Sequence, residues 1–464
     1  MAKVISQETF DDTVKENVVE FEMSVEEAKE ETIKQFQAQG VNLGNIIVDL
    51  KVNSTTGRPI VLEKIDELKK IEEISEGNRK DFLEIIQVIS EECSKTLPHR
   101  VLAAKNGANG ALLKILRNAL DAELRDQEIL RKVVENFSIL SEKQPDIFTH
   151  ECLDVAIRLL QTETDETVVR ECLRWLQKVC VLHEMNRQMI VEGDTVKHFK
   201  VFLTTKSPIM IRELCSLFRN LVLDDDIRVE YGKAHEHARI IAESCLTDLT
   251  KLLYDFKGDR DVVSDLLLTI ATLTVRNEYC LVVEDAGGLK FTLIAMAEHS
   301  DCLKLLREGL KFLKALAGND SVKVKIIQQG AAPLITSLLN THRNNESLVR
   351  HALAAIAMLT LRVKENSQAF FDAGAAEVIV ECMKIHEKSK FVQRSGAHSI
   401  RNMVSRSRDQ CNAFISQGAE DVLNLALKEH PNIAYDVKSA LRDLGVSVHL
   451  NEEWTGKAEK AIAK

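Results

Sequence analysis

The sequence predicts an all-α solenoid built from stacked three-helix repeats, and three observations support this prediction. First, the stretch from Lys323 to Val363 contains three short helical segments, because Gly330 ends the first and a polar turn separates the other two. Helices of this size cannot bury their apolar faces alone, so neighbouring copies are required. Second, copies recur on both sides, mostly at steps of 42 to 44 residues. Third, six prolines and 5% aromatic residues suit a helical array better than a sandwich or a barrel.

The repeats align on a glycine, or its substitute, that precedes a pair of apolar residues. The eight aligned positions are Gly107, Glu151, Gly193, Ser244, Gly287, Gly330, Gly374 and Gly418. The longer step of 51 residues after Gly193 predicts an insertion of about eight residues between Asp224 and Glu243. A period of roughly 40–47 residues is typical of armadillo and HEAT solenoids. The wording G-A-A-P-L-I-x-x-L-L at Gly330 resembles the armadillo family specifically, over residues 95–448.

A distinct acidic segment precedes the repeats. Residues 4–40 predict two helices, at about 7–21 and 25–39, with Ser6 as the first cap and with Ser24 and Glu27 as a capping box. The stretch ISQETFDDTVKENVVEFEMSVEEAKEETIKQFQAQGVNLGNII is similar to the N-terminus of the armadillo repeat-containing protein six family. This resemblance extends over the full chain. It implies an armadillo-type right-handed α-solenoid, a superhelix of three-helix repeats, and an adaptor role rather than an enzymatic one.

We therefore expect four segments along the chain. They are an acidic N-terminal helical segment with its linker (1–59), a helical cap (60–100), eight armadillo-like repeats (101–448) and a polar C-terminal tail (449–464). Helices at about 60–73 and 78–96 would cover the exposed apolar end of the first repeat. In the tail, Trp454 is either a lid on the last core or an exposed anchor, and we favour the lid.

Composition and charge exclude several classes of protein. A net charge of −10 argues against a general nucleic-acid binder. Ten cysteines without a C-x-x-C pair, among them Cys172, Cys215, Cys245 and Cys382, predict buried thiols in a reducing compartment, cytoplasmic or nuclear. The absence of an apolar signal region and of a run of 18 apolar residues predicts a soluble protein with no membrane span. Because no catalytic motif occurs in an ordered context, we expect a non-enzymatic protein with no cofactor, no metal and no catalytic residue. We also expect the protein to be a monomer.

The armadillo resemblance also implies which residues face a concave groove. In that family the third helices carry an Asn ladder and a Trp ladder that hold an extended basic peptide. The Asn positions here are Ile139, Lys178, Asn220, Thr272, Ala315, Met358, Asn402 and Asp443, and the Trp positions are Glu135, Arg174, Ser216, Leu268, Lys311, Ala354, His398 and Ser439. Because only two Asn and no Trp are kept, a nuclear-import receptor is disfavoured. A nuclear transport carrier for peptide cargo remains the alternative. Trp175, one residue off the ladder, is predicted to face the core.

Cations replace the ladders on the same helix face, since residues three and four apart are neighbours. The candidate partner-binding residues are Arg174, Lys178, Arg219, Asn220, Lys311, Lys314, His398, Arg401, Asn402 and Arg442. Such a basic stripe predicts a scaffold that binds an acidic or phosphorylated peptide of an unidentified protein partner. Two alternatives stay open. The third helices could simply have a solvated basic face, or the acidic segment Glu16–Glu31 could occupy the groove of its own chain.

Two further patterns have a structural and a functional interpretation. One arginine per repeat precedes most Trp positions by four residues: Arg131, Arg170, Arg212, Arg307, Arg350 and Arg394. We favour bridges to acidic groups or helix ends of neighbouring repeats over additional groove cations. In the insertion, His235 and His237 resemble metal ligands, but no further ligands occur at a recognisable spacing. We predict a solvated loop there, with a second contact surface as its possible role.

Overall fold

The computed structural model describes residues 3–51, 58–193 and 195–448. Over these residues the chain forms 26 α-helices and one isolated backbone bridge, between Lys3 and Val41. The prediction of an all-α fold is therefore confirmed. In the described part of the chain, no helix is long and apolar enough to cross a membrane. Two compact units are present: unit 1 comprises Met1–Phe202 and Ser216–His237, and unit 2 comprises Leu203–Cys215 and Ala238–Lys464.

Unit 1 begins with a helical hairpin that has its own small core. Its helices are α1 (Gln7–Glu20) and α2 (Val25–Ala38). The predicted capping box is confirmed, because the Ser24 hydroxyl accepts from the Glu27 N–H while the Glu27 carboxylate accepts from the Ser24 N–H. Phe10, Phe36 and Ile46 form the core of the hairpin. The two predicted helices thus exist, each one residue shorter than expected at its C-terminal end.

The rest of unit 1 contains a two-helix cap and the first repeats. The helices are α3 (Ile60–Lys70), α4 (Arg79–Lys95), α5 (Leu97–Lys105), α6 (Ala108–Asp121), α7 (Gln127–Ser141), α8 (His150–Thr162), α9 (Glu166–Cys180), α10 (Glu184–Glu192) and α11 (Thr195–Phe202). Helix α3 packs on α6, and α4 packs on α7, in the same way that α6 packs on α8 and α7 on α9. The cap therefore supplies the second and third helices of a partial repeat, which covers the apolar end of the first complete repeat.

Two helices, α12 (Pro208–Leu221) and α13 (Ala234–Asp255), have residues in both units. Helix α13 has 22 residues, against 11 for a typical second helix such as Ala331–Thr341. The predicted insertion therefore consists of a loop, residues 222–233, followed by an N-terminal extension of α13. His237 lies in this extension and is buried, so the prediction of a solvated loop is wrong at that residue.

Unit 2 contains the remaining repeats. The helices are α14 (Arg260–Leu273), α15 (Asn277–Asp285), α16 (Gly288–Glu298), α17 (Leu303–Leu316), α18 (Asp320–Gln328), α19 (Ala331–Thr341), α20 (Glu346–Thr360), α21 (Lys364–Asp372), α22 (Ala375–Ile385), α23 (Lys390–Val404), α24 (Cys411–Ser416), α25 (Ala419–Glu429) and α26 (Ala434–Leu444). The third helices α14, α17, α20, α23 and α26 pack on one another in succession, as do the second helices α16, α19, α22 and α25.

Local sequence explains where the helices of a repeat begin. Gly330 has φ +89° and Gly374 has φ +79°, a left-handed backbone that only glycine adopts without strain, and each immediately precedes a second helix. Third helices begin after a polar cap, as at Asn345, whose side chain accepts from the N–H of Leu348. The aligned Gly193 has φ −78°, so the glycine register does not imply the same turn in every repeat.

The cysteines behave as buried thiols. None of the ten forms a disulfide, and nine of them are buried, including the predicted Cys172, Cys215, Cys245 and Cys382. Burial raises the pKa of Cys382 to about 12, so its thiolate does not form near neutral pH.

Trp175 in α9 lies in the core of unit 1, as predicted, with 1% of its surface exposed. Its ring stacks on Phe137 at a centroid distance of 4.4 Å and meets Phe148 edge-on at 5.4 Å. The indole N–H donates to the Ser141 hydroxyl at 3.1 Å, so its polar atom is also satisfied. The other tryptophan, Trp454, lies outside the described residues together with the whole predicted tail and most of the linker.

We expect Trp175→Ala to lower the free energy of unfolding by about 3–5 kcal/mol, because it leaves a large cavity beside two aromatic rings. Urea titration followed by circular dichroism measures this change. As the control, Phe21→Ala removes an exposed ring from the same unit and should change stability by at most about 0.5 kcal/mol. Equal effects of the two substitutions would contradict the assignment of Trp175 to the core.

Candidate functional site

A groove of about 760 Å³ runs along the third helices of unit 2, and we call it the unit-2 groove. It is lined by side chains of α14, α17, α20 and α23. Eight of the lining residues are those that the armadillo register assigned to the two ladders: Leu268, Thr272, Lys311, Ala315, Ala354, Met358, His398 and Asn402. These positions therefore share one helix face through four successive repeats.

The charged side chains that line the unit-2 groove are all basic. They are Lys311, Lys314, Arg350 and Arg394, with His351 and His398 beside them, and no Asp or Glu occurs among the described residues of the lining. The remaining lining is largely apolar and includes Ala354, Met358 and Leu361. The groove thus combines a positive potential with a floor that can bury apolar groups.

The cations of the unit-2 groove differ in how far they are neutralised. Lys311 forms an ion pair of 2.9 Å with Glu308 on its own helix. The guanidinium of Arg350 lies over the ring of Phe391, 4.6 Å from the centroid, a cation–π contact rather than an ion pair. Lys314 is exposed, and no carboxylate among the described residues lies within ion-pair distance of it. Lys314 and Arg350 are therefore the least compensated positive charges in the groove.

Asp436 in α26 links two successive third helices at one end of the groove. Its carboxylate lies 2.7 Å from Nε of Arg394 and 3.0 Å from Nε2 of His398, both in α23. Burial acts to raise the pKa of Asp436, but the hydrogen bonds and charges of His398 and Arg394 outweigh burial and hold this pKa below its usual 3.8. The contact is thus an ionic link between repeats as well as a support for two groove side chains.

Three of the predicted groove residues bind other groups of the protein itself. Arg401 and Arg442 do not line the unit-2 groove, because both bind the nearly buried carboxylate of Asp443, at 3.4 and 2.9 Å. Asn402 does line the groove, but its side-chain N–H₂ donates to the carbonyl of Ala357 at 2.7 Å. One donor of this amide therefore joins two third helices instead of facing a ligand.

A second groove, of about 440 Å³, lies along the third helices of unit 1. Arg174, Lys178 and Asn220 line it as predicted, whereas Arg219 is not part of its lining. Two carboxylates also line this groove: Glu135, which the sequence pattern identified, and Glu171, which it missed. Arg174 binds Glu171 at 3.1 Å, three residues earlier on the same helix face, so the spacing alone would have revealed it. The unit-1 groove therefore has mixed charge.

Two family models together cover almost the whole chain. The model for the Armadillo repeat-containing protein 6 N-terminal domain matches residues 2–61, and the model for ARMC6 matches residues 61–463. The chain belongs to the armadillo repeat-containing protein 6 family. The Drosophila melanogaster protein named Armadillo repeat-containing protein 6 homolog is 58% identical over 469 residues, which covers 100% of both chains. Armadillo repeat-containing protein 6 of Homo sapiens is 31% identical over 388 residues, 79% of this chain and 76% of the human one.

A solved structure supports the same fold. The crystal structure of an engineered protein matches 84% of this chain and 100% of its own length with a TM-score of 0.63. At 17% identity this likeness concerns the fold alone. The predictions of an armadillo-type fold and of the family are therefore confirmed.

In this armadillo repeat-containing protein 6 family member, the arginine ladder serves two purposes. Three members reach the next repeat: Arg212 binds Asp265 at 2.8 Å, Arg394 binds Asp436, and Arg350 stacks on Phe391. The other three, Arg131, Arg170 and Arg307, bind Glu135, Glu171 and Glu308 on their own helices. Among the described residues, the favoured bridge to an acidic group of a neighbouring repeat is thus made by two of the six arginines, Arg212 and Arg394. Arg350 and Arg394 also line the unit-2 groove, as the alternative interpretation expected.

The insertion of this family member is fastened by buried charges. Arg187 in α10 is almost fully buried and binds Glu184 at 2.9 Å and Asp225 of the insertion loop at 2.6 Å. Burial acts to lower the pKa of Arg187, but its hydrogen bonds to these two carboxylates raise it overall. His237 directs Nδ1 to the carbonyl of Leu221 at 3.0 Å. Within the described residues, no group of three or more His, Cys, Asp or Glu side chains is arranged to hold a metal ion.

We expect Asp436→Asn to lower the free energy of unfolding at neutral pH by on the order of 1 kcal/mol, because it removes the charge that joins α26 to α23. A carboxyl group with a lowered pKa in the folded state stabilises the fold above its unfolded pKa, here 3.8, and this contribution is lost as the pH falls through the folded pKa. The difference between the two proteins should therefore disappear in urea titrations carried out well below pH 3.8.

The control for this comparison is Glu429→Gln, an exposed carboxylate on α25 in the same unit. Its effect should remain within about 0.5 kcal/mol throughout. An Asp436→Asn difference that stayed constant down to the lowest pH would mean that the charge of Asp436 does not stabilise the helix pair.

Proposed function

We propose that this armadillo repeat-containing protein 6 family member is a non-enzymatic adaptor that binds an acidic or phosphorylated segment of a partner protein in the unit-2 groove. The observation that carries the proposal is the charge of the lining, with Lys311, Lys314, Arg350 and Arg394 present and no carboxylate among the described lining residues. A cleft lined by one sign of charge concentrates ligands of the opposite sign.

The two least compensated cations are suited to such a ligand in different ways. Arg350 has a planar guanidinium that can donate two parallel hydrogen bonds to a carboxylate or a phosphate, and its stacking on Phe391 restricts its orientation. Lys314 is exposed and offers a flexible point charge. A peptide with acidic groups at two positions could therefore engage both.

The floor of the unit-2 groove adds an apolar contribution. Met358 and Leu361 of α20 line it together with Ala354 and Ala357 of the same helix. Apolar area that is removed from water contributes about 25 cal/mol per Å², and an unbranched methionine adapts its shape to different side chains. The preferred ligand is therefore a segment in which acidic residues alternate with apolar ones, rather than a purely acidic one.

The charge of the whole chain makes this recognition local. With a net charge of −10, the protein repels acidic peptides at long range. Binding then depends on groove cations within a few ångströms of the ligand, and it should weaken with added salt, because exposed charges are screened over about 10 Å at 0.1 M salt.

A nuclear transport carrier for basic cargo is the alternative function. Two positions that hold a tryptophan in peptide-binding armadillo grooves hold Lys311 and His398 here, and a lysine would repel a basic peptide. A basic localisation peptide is thus the natural negative control. The largely buried thiols, none of them in a disulfide, support a reducing location for the adaptor, cytoplasmic or nuclear.

We expect Lys314→Glu combined with Arg350→Glu to weaken binding of a short fluorescein-labelled peptide with alternating glutamate and leucine by about tenfold or more, which is about 1.4 kcal/mol. A phosphoserine version of the peptide should lose at least as much. Fluorescence anisotropy at low and at physiological salt measures both effects.

The matched control is Lys290→Glu combined with Lys428→Glu, which changes the net charge equally on second helices outside the groove. It should leave peptide affinity within about twofold of the unsubstituted protein, a difference of about 0.4 kcal/mol. An equal loss of affinity in both double variants would mean that the net charge, and not the groove, determines binding. Tighter binding of a basic localisation peptide than of the acidic one would favour the transport carrier instead.

A further inference from the structure

A separate pocket of about 470 Å³ lies in unit 1, where the cap meets the first repeat. Its walls come from three places: the loop between α3 and α4, the C-terminal half of α6, and the loop between α6 and α7. We call it the cap pocket. None of its lining residues belongs to the unit-1 groove described above.

Helix α6 ends differently from the second helices of the last three repeats. In three repeats of unit 2, the residue that ends the second helix is a histidine whose ring N–H donates to the turn of the preceding repeat. These contacts join His342 to the carbonyl of Ser300 at 2.7 Å, His386 to that of Arg343 at 2.8 Å, and His430 to that of Glu387 at 2.8 Å. Helix α6 has 14 residues against 11 in Ala331–Thr341, and the equivalent contact comes from Asn118, whose side-chain N–H₂ donates to the carbonyl of Glu72 at 2.5 Å. Ala119, which stands where the histidines stand in the glycine register, and Ala122 both line the pocket.

The interior of the cap pocket is apolar. Ile115 of α6 and Ile129 of α7 are buried beneath it, and Ile74 adds a half-buried side chain from the opposite loop. Leu124 on the α6–α7 loop has 92% of its surface exposed, which is a large apolar side chain left in water at the rim. Exposed apolar groups beside a concave apolar surface are typical of interaction sites.

The charges around the pocket are mainly negative. Five carboxylates line it and one cation does: Glu72, Glu73, Glu76, Asp121 and Asp126 against Arg79. Three of the carboxylates are already neutralised, because Asp126 binds Arg79 at 2.6 Å, Asp121 binds Arg158, and Glu72 lies 3.9 Å from Lys114. Glu73 and Glu76 have no ion-pair partner among the described residues. The uncompensated charge is thus concentrated on one rim, the α3–α4 loop.

We propose that the cap pocket is a second docking site, which takes a basic and apolar segment of a partner protein. An apolar side chain of that segment packs against Leu124 and Ile74, while a neighbouring Lys or Arg pairs with Glu73 and Glu76. The C-terminal end of α6 faces the same pocket, and the negative end of a helix dipole also favours a cation. The charge complementarity excludes acidic peptides and nucleic acids as occupants of this site.

This proposal is independent of the one for the unit-2 groove, since the two sites lie in different units and select opposite charges. Together they would let one chain hold two segments of opposite charge, the property that an adaptor needs.

The test uses the full chain and a short fluorescein-labelled peptide with one leucine between lysine pairs, with its glutamate counterpart as a specificity control. Glu73→Lys combined with Glu76→Lys should weaken binding of the lysine peptide at least about tenfold, because two attractive charges become repulsive. Leu124→Ser should weaken it several-fold without altering its salt dependence. All three substituted residues lie in exposed loops, so the circular dichroism spectra of the variants should show an unchanged fold.

The matched control is Glu26→Lys combined with Glu30→Lys, two exposed carboxylates of α2 that produce the same change in net charge. Full affinity in this control, with loss in the pocket variants, supports the proposal. Three outcomes would overturn it. They are an equal loss of affinity in the control and the pocket variants, equal binding of the glutamate and lysine peptides, and a loss of lysine-peptide affinity in the variant with Lys314→Glu and Arg350→Glu. Failure of the acidic peptide at the unit-2 groove would leave this result unaffected.

Discussion

The packing of each third helix on the next is the contact on which the rest of unit 2 depends. Leu353 and Ile356 of α20 and Ile400 of α23 are fully buried in this stack. Polar contacts set the register: the hydroxyl of Ser399 donates to the carbonyl of Leu353 at 2.7 Å, and Asn402 donates to Ala357 one turn later. Because the core and the two neighbouring helices occupy the other faces of each third helix, a single face per helix is left for a ligand.

The same stacking determines how the groove remains basic in an acidic protein. The carboxylates that neutralise groove cations, Glu308 and Asp436, are largely buried beside the lining rather than part of it. Full neutralisation would remove the attraction for an acidic ligand, whereas several uncompensated cations in one cleft would repel one another. The unit-2 groove lies between these limits. Lys311 and Arg394 are paired with carboxylates, whereas Lys314 and Arg350 are not.

Features that recur in every repeat could be predicted from the sequence, and contacts that occur only once could not. The helical repeats and the helix face between Leu268 and Asn402 follow from a pattern that recurs once per repeat. The binding of Arg401 and Arg442 to Asp443 breaks that pattern, because a single buried carboxylate attracts both side chains away from the face that their register predicts. The insertion differs from its prediction in a similar way, because α13 extends into a polar stretch for which a loop was expected and buries His237 there.

The cap pocket lies where the contacts between successive repeats change at the junction with the cap. His342, His386 and His430 recur every 44 residues, and each closes the turn of the repeat before it. Beside the cap, Ala119 holds the histidine position and the shorter side chain of Asn118 makes the contact to Glu72 instead. Apolar surface is left exposed beside it, with Leu124 at the rim. The carboxylates of the adjoining loop give this apolar surface a negative rim. The ligand that we propose for it is therefore apolar and basic at once.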